Sequence, residues 1–560
     1  MKKSIGKLQA LVTILILLSS KHSFSQTETQ KIAIYDKVWG FIKYHHPAIA
    51  TGNMDWDSVY LAHLHQVIAA KSTAELNRQI SSLIDAAGLI KKITPVKIPN
   101  DVFKANFDLS WLNNSKLLTK LNREKLQLIY NNRNQGDNRF IKYNNQSDFS
   151  GEKQYEEISN PTAEYRQLFL ARFWNVINYF DPYKYLVGEN WGAVLDKFIP
   201  KFTVVNNTLS HYKVLLELSV SLHNGHSYVS IAGDDTPINN LLYGKYTAPF
   251  YPQIIDGTAL VRKTANDSLC NKADIAKGDI ILEIDGIPVS KKIRQLQAYV
   301  SGSNKVAQHN GIARRLFDTH HASETLKIKR GSRIILTTVQ CIPTKSKNWG
   351  DINNYTANET GYKSLGSSIA YIYAAQIENN NLDTIRKLIM RSKAVIFDVR
   401  NYPGQDAFFN IMGIMLPEPK YIDYSTVFMA DNPGMFKWKP SFKIGDVNLK
   451  YFKGKTIILV DERSQSQGEY SAMVLQTIPG SVTIGSQTAG ADGAVSPVQM
   501  GGKISIGFSG YGVYYPDKTP TQRIGVKIDI PVNKTIESVV HNKDLVVEKA
   551  LNYLASLGIN

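Results

Sequence analysis

The sequence predicts a multidomain α/β protein with a helical amino-terminal region, a β-rich middle and an α/β carboxy-terminal core. Three observations carry this. Helix-period runs built around a repeated Trp pattern fill residues 27–242. Short alternating runs punctuated by Gly and Asp turns follow over 243–345. From residue 346 to 560, strand-like and helix-like runs alternate. A chain of 560 residues is long enough for several cores rather than one.

The first 25 residues read as a signal peptide. Lys2, Lys3 and Lys7 precede the short apolar run 10-ALVTILILL-18, and Ser23 and Ser25 suit a cut before Gln26. No later run is long and apolar enough to cross a bilayer. The expectation is an exported protein, periplasmic or extracellular, with no integral membrane segment once the leader is removed.

The helical region divides into two copies, over 27–140 and 160–242. The run 39-WGFIKYHHP-47 matches 174-WNVINYFDP-182, and Trp56 and Trp191 follow at the same spacing. Both Trp pairs are 135 residues apart, which argues for a duplicated helical unit. The Trp and Tyr side chains read as core packing. Only the second copy continues through the helix-period run 211-HYKVLLELSVSLH-223 into 223-HNGHS-227. In the β-rich middle, Gly278-Asp279 turns into the alternating run 280-IILEI-284, and Asp285-Gly286 turns out of it, a hairpin signal. In the last region 368-SIAYIYAA-375, 393-KAVIFDVR-400, 456-TIILV-460 and 481-SVTIG-485 read as strands. Runs 381–390 and 469–478 read as helices, the first with Asn381 as a cap.

Charge and cysteine usage exclude some classes. The formal charge is +17, or +13 without the four leader lysines, yet the lysines are scattered. The densest group, between Lys437 and Lys455, is broken by apolar residues and reads as a solvated surface rather than a nucleic-acid site. Cys270 and Cys341 allow one disulfide or two buried thiols. No cofactor or metal is expected. The glycine-rich 485-GSQTAGADG-493 lacks a phosphate-loop ending, and the histidines lack ligand spacing.

Four pieces suit hydrolytic chemistry. Ser466, in 464-SQSQGE-469 between a strand and a helix, is the candidate nucleophile, and it needs a base. His226 has the right pKa range for that base. Backbone N–H groups of Gly404, in 398-DVRNYPGQ-405, and Gln467 are the candidate oxyanion donors. The turn 485–493 is expected to line the cleft.

In this order the pieces resemble the tail-specific, or C-terminal processing, serine peptidases and their Tricorn relatives. The resemblance spans residues 165–550. It rests on 393-KAVIFDVRNYPG-404, 464-SQSQGEYSA-472 and 523-RIGVKIDIPV-532, with Ile528 where the family has Pro. It implies a PDZ-like domain at 243–345, a crotonase/Clp-like core and peptide or unfolded-protein substrates. Matching Glu469 to the family's Glu places the nucleophile on Ser466. Ala491 stands at the position of the processing peptidases' catalytic Lys, so a Ser–Lys dyad is excluded there. The Tricorn pattern instead implies His226 as base. Gly225 stands where that pattern has Ser, so Ser227 and Gln522 are the expected orienting groups, with Asp492 as an alternative. Two rival readings share the scaffold: a non-catalytic ligand- or peptide-binding protein, and an esterase or amidase.

Overall fold

The computed structural model describes residues 27–52, 54–94, 97–348, 361–404 and 406–560. The leader lies outside the described residues. Among the described residues no helix is long and apolar enough to cross a membrane.

The duplication is visible in three dimensions. Helices α1 (Glu28–His45) and α2 (Trp56–Ala69) form one pair, and α3 (Ala163–Phe180) and α4 (Trp191–Val204) form the other. In the first pair each indole N–H donates to the carbonyl of the other Trp, Trp39 to Trp56 and Trp56 to Trp39, both at 3.0 Å. Trp174 and Trp191 repeat this reciprocal bond at 2.7 and 3.0 Å. All four tryptophans are buried. Burying a Trp requires a partner for its N–H, and the repeat spacing supplies it twice. Helix α1 packs on α3, so the two copies share one core. Helix α5 (Thr208–Val220) follows, capped by the Asn207 side chain.

This helical region is not closed on itself. Strand β1 (Val229–Ile231), just after α5, pairs with a strand of the carboxy-terminal core. The short strand Val102–Phe103 pairs with Phe436–Lys437 of that core.

The β-rich unit has the sheet order β7-β6-β4-β3-β2. Its strands are β2 (Phe250–Ile255), β3 (Thr258–Thr264), β4 (Ile280–Ile284), β6 (Ser323–Arg330) and β7 (Arg333–Gln340). Strand β5 (Ile287–Pro288) turns back on β4 through Asp285-Gly286, both with positive φ (50° and 73°). That is the two-residue hairpin the sequence predicts. Strand β2 is an edge, and helix α6 (Lys305–Ala313) packs beside it. Cys270 and Cys341 are both buried here as free thiols.

The core is a six-stranded sheet in the order β8-β9-β10-β11-β12-β15. The strands are β8 (Tyr362–Leu365), β9 (Ile369–Tyr373), β10 (Ala394–Asp398), β11 (Lys455–Val460), β12 (Val482–Gly485) and β15 (Ile530–Pro531). From β9 to β15 all neighbours are parallel. The central strands are buried on both faces, between α7 (Leu382–Arg391) and α8 (Gln467–Gln476) on one side and α9 (Leu545–Ser556) on the other. This explains their unbroken apolar runs. The run 523–532, read as a closing strand, contributes only Ile530–Pro531 to the sheet, because Arg523 and Gly525 take positive φ and turn the chain first. Asn381 does precede α7, but its side chain bonds Gln376 and Glu378 outside the helix rather than capping it. A second, antiparallel sheet joins β13 (Val495–Gln499), β14 (Ile504–Ser509) and β1.

Candidate active site

Ser466 lies where open α/β sheets place their ligands, beyond the carboxyl ends of parallel strands. Strand β11 ends at Val460, and the chain turns at once. Buried Asp461 anchors the turn with ion pairs to Arg463 and Lys534, 2.7 and 2.8 Å long. Ser464 Oγ donates to the Val399 carbonyl at 3.0 Å, tying the turn to the tip of β10. Ser466 then takes φ 53° and ψ −118° as the residue before α8. An L-residue is strained in that region, by about 1–3 kcal/mol.

Glu469 holds the turn together from inside. Fully buried, it accepts from Thr488 Oγ1 at 2.5 Å and from the N–H groups of Gly490 and Ala491 at 2.7 and 2.9 Å. It also reaches back to the Ser466 N–H at 3.3 Å. Burial outweighs these donors and raises its carboxyl above the ordinary range. The Ser466 N–H also donates to the Ala491 carbonyl at 2.8 Å. The turn 488–491 therefore backs the nucleophile segment.

His226 reaches the same place from the end of the helical region. Gln465 Nε2 donates to the Gly225 carbonyl at 3.2 Å, linking the residue before Ser466 to the residue before His226. Ala491 packs on Gly225, where an added Cβ would lie 2.9 Å from the Ala491 Cβ. A side chain at 225 would collide there, which accounts for Gly where the Tricorn pattern has Ser. No hydrogen bond joins Ser466 to His226 among the described residues, a looser arrangement than the reactive one.

The imidazole contacts Ser509. Its Nδ1 lies 3.2 Å from Ser509 Oγ, and Asn224 brackets that hydroxyl with Nδ2 at 3.1 Å and Oδ1 at 3.4 Å. Asn224 Oδ1 also accepts the His226 N–H at 2.8 Å. Burial lowers the His226 pKa to about 4. The expected orienting groups, Ser227 and Gln522, do not bond the imidazole. His226 sits in a turn closed by the Ser227 N–H on the Asn224 carbonyl, and the Ser227 hydroxyl points back to the Ser219 carbonyl at 3.0 Å. Gln522 donates to Ser303 Oγ at 3.3 Å, and Ser303 Oγ in turn accepts the Gly225 N–H at 2.6 Å. Gln522 thus supports the loop one residue before His226. Asp492 is buried with Oδ2 unpartnered, and burial raises its carboxyl well above the ordinary range.

Of the two candidate oxyanion donors, Gly404 lies exposed in the loop after β10, and Gln467 is the first residue of α8, its side chain donating to Ser471. In 398-DVR-400 the charged residues are structural. Asp398 and Arg400 form a buried ion pair of 2.7 Å, and Arg400 reaches Asp544 at the start of α9. Sequence reasoning missed Ser509, Asn224, Gln465 and Ser303. The only signal for Ser509 was its place at the end of the strand-like run 504-ISIGFS-509.

Residues 368–532 match the model of peptidase family S41. The α/β core is thus similar to that peptidase family over 165 of the chain's 560 residues. The resemblance read from the motifs is thereby borne out. Among solved structures, mature CPAF complexed with lactacystin is similar with a TM-score of 0.54 and 14% identity, over 70% of this chain and 98% of that one. Mature CPAF gives a TM-score of 0.54 and 15% identity, over 70% and 97%. At such identity the likeness concerns the fold. No curated protein matches the chain. The matched S41 segment contains Ser466, Glu469 and Ser509 but not His226, which precedes it by more than a hundred residues.

Proposed function

We propose that the chain is an exported serine peptidase using a Ser466–His226 pair. His226 Nε2 takes the Ser466 proton as Oγ attacks a peptide carbonyl, then returns it to the leaving amine, and water hydrolyses the acyl-enzyme. The N–H groups of Gly404 and Gln467 receive the oxyanion. The observation that carries this reading is the meeting of two distant segments, joined by the Gln465–Gly225 bond, with Ser466 in strained backbone at a helix start. The adjoining helix dipole favours developing negative charge. Export rests on the leader read from the sequence.

The β-rich unit fits a PDZ-like role. Edge strand β2 and helix α6 border a cavity of about 320 Å³, closed on the core side by Glu462, Arg463 and Ser486. An extended peptide added to the edge of β2 would lie beside the turn that leads to Ser466.

A serine-reactive phosphonate tests the pairing. Labelling of the wild type at Ser466, lost in Ser466→Ala and strongly slowed in His226→Ala, is expected. The open Ser466–His226 arrangement favours one rival, a binding protein on this scaffold, and that rival predicts no labelling at Ser466 in any form.

A further inference from the structure

Strand pairing carries the assignment of a positioning residue beyond the Ser–His pair. Strands β1 and β14 run antiparallel with Val229 opposite Ile506, Ser230 opposite Ser505 and Ile231 opposite Ile504. The Gly507 N–H donates to the Tyr228 carbonyl at 2.9 Å, so the pairing continues past the end of β1. Beyond that pair the chain turns, the Ser227 N–H closing on the Asn224 carbonyl, and the same register counted back to the turn brings His226 beside Ser509, with Nδ1 3.2 Å from Oγ. An added Cβ at Gly507 would lie 3.2 Å from the His226 carbonyl, so a glycine lets the two backbones approach here.

From this we infer that Ser509, itself held by Asn224, is the residue that positions His226 for catalysis, in the place where related triads carry a carboxylate. This rests on the proposed peptidase reading. The hydrogen-bond chain has one productive polarity. Nδ1–H donates to Ser509 Oγ, the Ser509 hydroxyl donates to Asn224 Oδ1, and Nε2 keeps its lone pair for the Ser466 proton. Asn224 Oδ1 has capacity for both the Ser509 hydroxyl and the His226 N–H, so the chain ends on an acceptor anchored by the same loop. Ser509 and Asn224 are both buried, which fixes their geometry. A neutral relay orients the ring without adding charge. Burial accounts for the whole lowering of the His226 pKa, with no carboxylate opposing it.

The test measures tautomer and turnover on the full chain. In wild type, the ¹⁵N shifts of His226 should show a neutral ring with its proton on Nδ1. In Ser509→Ala, a nearly isosteric change, that preference should be lost, and kcat on an unstructured protein substrate should fall about 10-fold or more with KM little changed. A wild-type proton on Nε2 overturns the assignment, as does a Ser509→Ala protein with wild-type tautomer and kcat. Asn224→Ala, which frees the Ser509 hydroxyl, should weaken the same tautomer preference; an unaltered preference also counts against the relay. Absence of wild-type turnover, or turnover unaffected by Ser466→Ala, contradicts the peptidase reading instead, and the tautomer then decides for Ser509 alone.

Discussion

Ser466 is held in a backbone conformation that costs stability and is half-buried at a helix start. Its replacement by glycine should remove the strain. Ser466→Gly is expected to abolish turnover while raising the unfolding free energy by about 1 kcal/mol, read from urea midpoints. A less stable variant would mean the conformation is not strained. Glu469 makes the opposite case. Its two carboxylate oxygens accept four donors, whereas a carboxamide offers one accepting oxygen and turns its NH₂ toward the remaining N–H groups. Glu469→Gln should therefore cost about 2–3 kcal/mol and lower kcat by loosening the turn, and unchanged stability would contradict that role. With His226 as the proposed base, its pKa governs the expected pH dependence. With its pKa lowered to about 4 by burial, it is a neutral base well below the ordinary imidazole range, so the acidic limb of kcat/KM is expected near pH 4 rather than near 6.5. Ser466 and His226 were both picked out from the sequence because each sits in a short motif. Ser509 was not, since only strand register connects it to a residue 283 positions earlier.

At the scale of elements, the duplicated Trp pairs were the clearest signal, because equal spacing survives when other positions diverge. What the spacing could not reveal is the reciprocal hydrogen bond that makes it necessary. Trp191→Phe keeps the ring but leaves the buried Trp174 carbonyl without its indole donor. The expected loss is about 1–3 kcal/mol, and Trp56→Phe should match it if the copies are equivalent. The core strands were legible from their apolar runs, and the β4–β5 hairpin from Asp285-Gly286. Strand β1 was not. Three residues between a loop and a polar turn carry too little periodicity to register, and their pairing partner lies in another region.

For the whole molecule, the sequence reads as successive regions, and the interlocking between them was not legible. His226, the proposed base, lies in the turn that leads into β1, a strand that belongs by sequence to the helical region and by pairing to the core. Asp181 is buried just after α3, where its carbonyl accepts from Asn106 at 2.8 Å. Burial raises its pKa to about 7. Between about pH 4 and pH 7 the folded chain thus keeps a proton that the unfolded chain releases, and stability falls as pH rises through that window. Asp181→Asn should flatten this part of the stability–pH curve, by up to about 4 kcal/mol. An unchanged slope would locate the titration elsewhere.

The central claim is that segments 240 residues apart form one peptidase centre. The most direct measurement is cleavage of an unstructured protein by the mature chain, beside Ser466→Ala and His226→Ala variants of intact fold. Cleavage by the wild type that both variants lose is the predicted result. Cleavage that survives either substitution at the wild-type rate would contradict it.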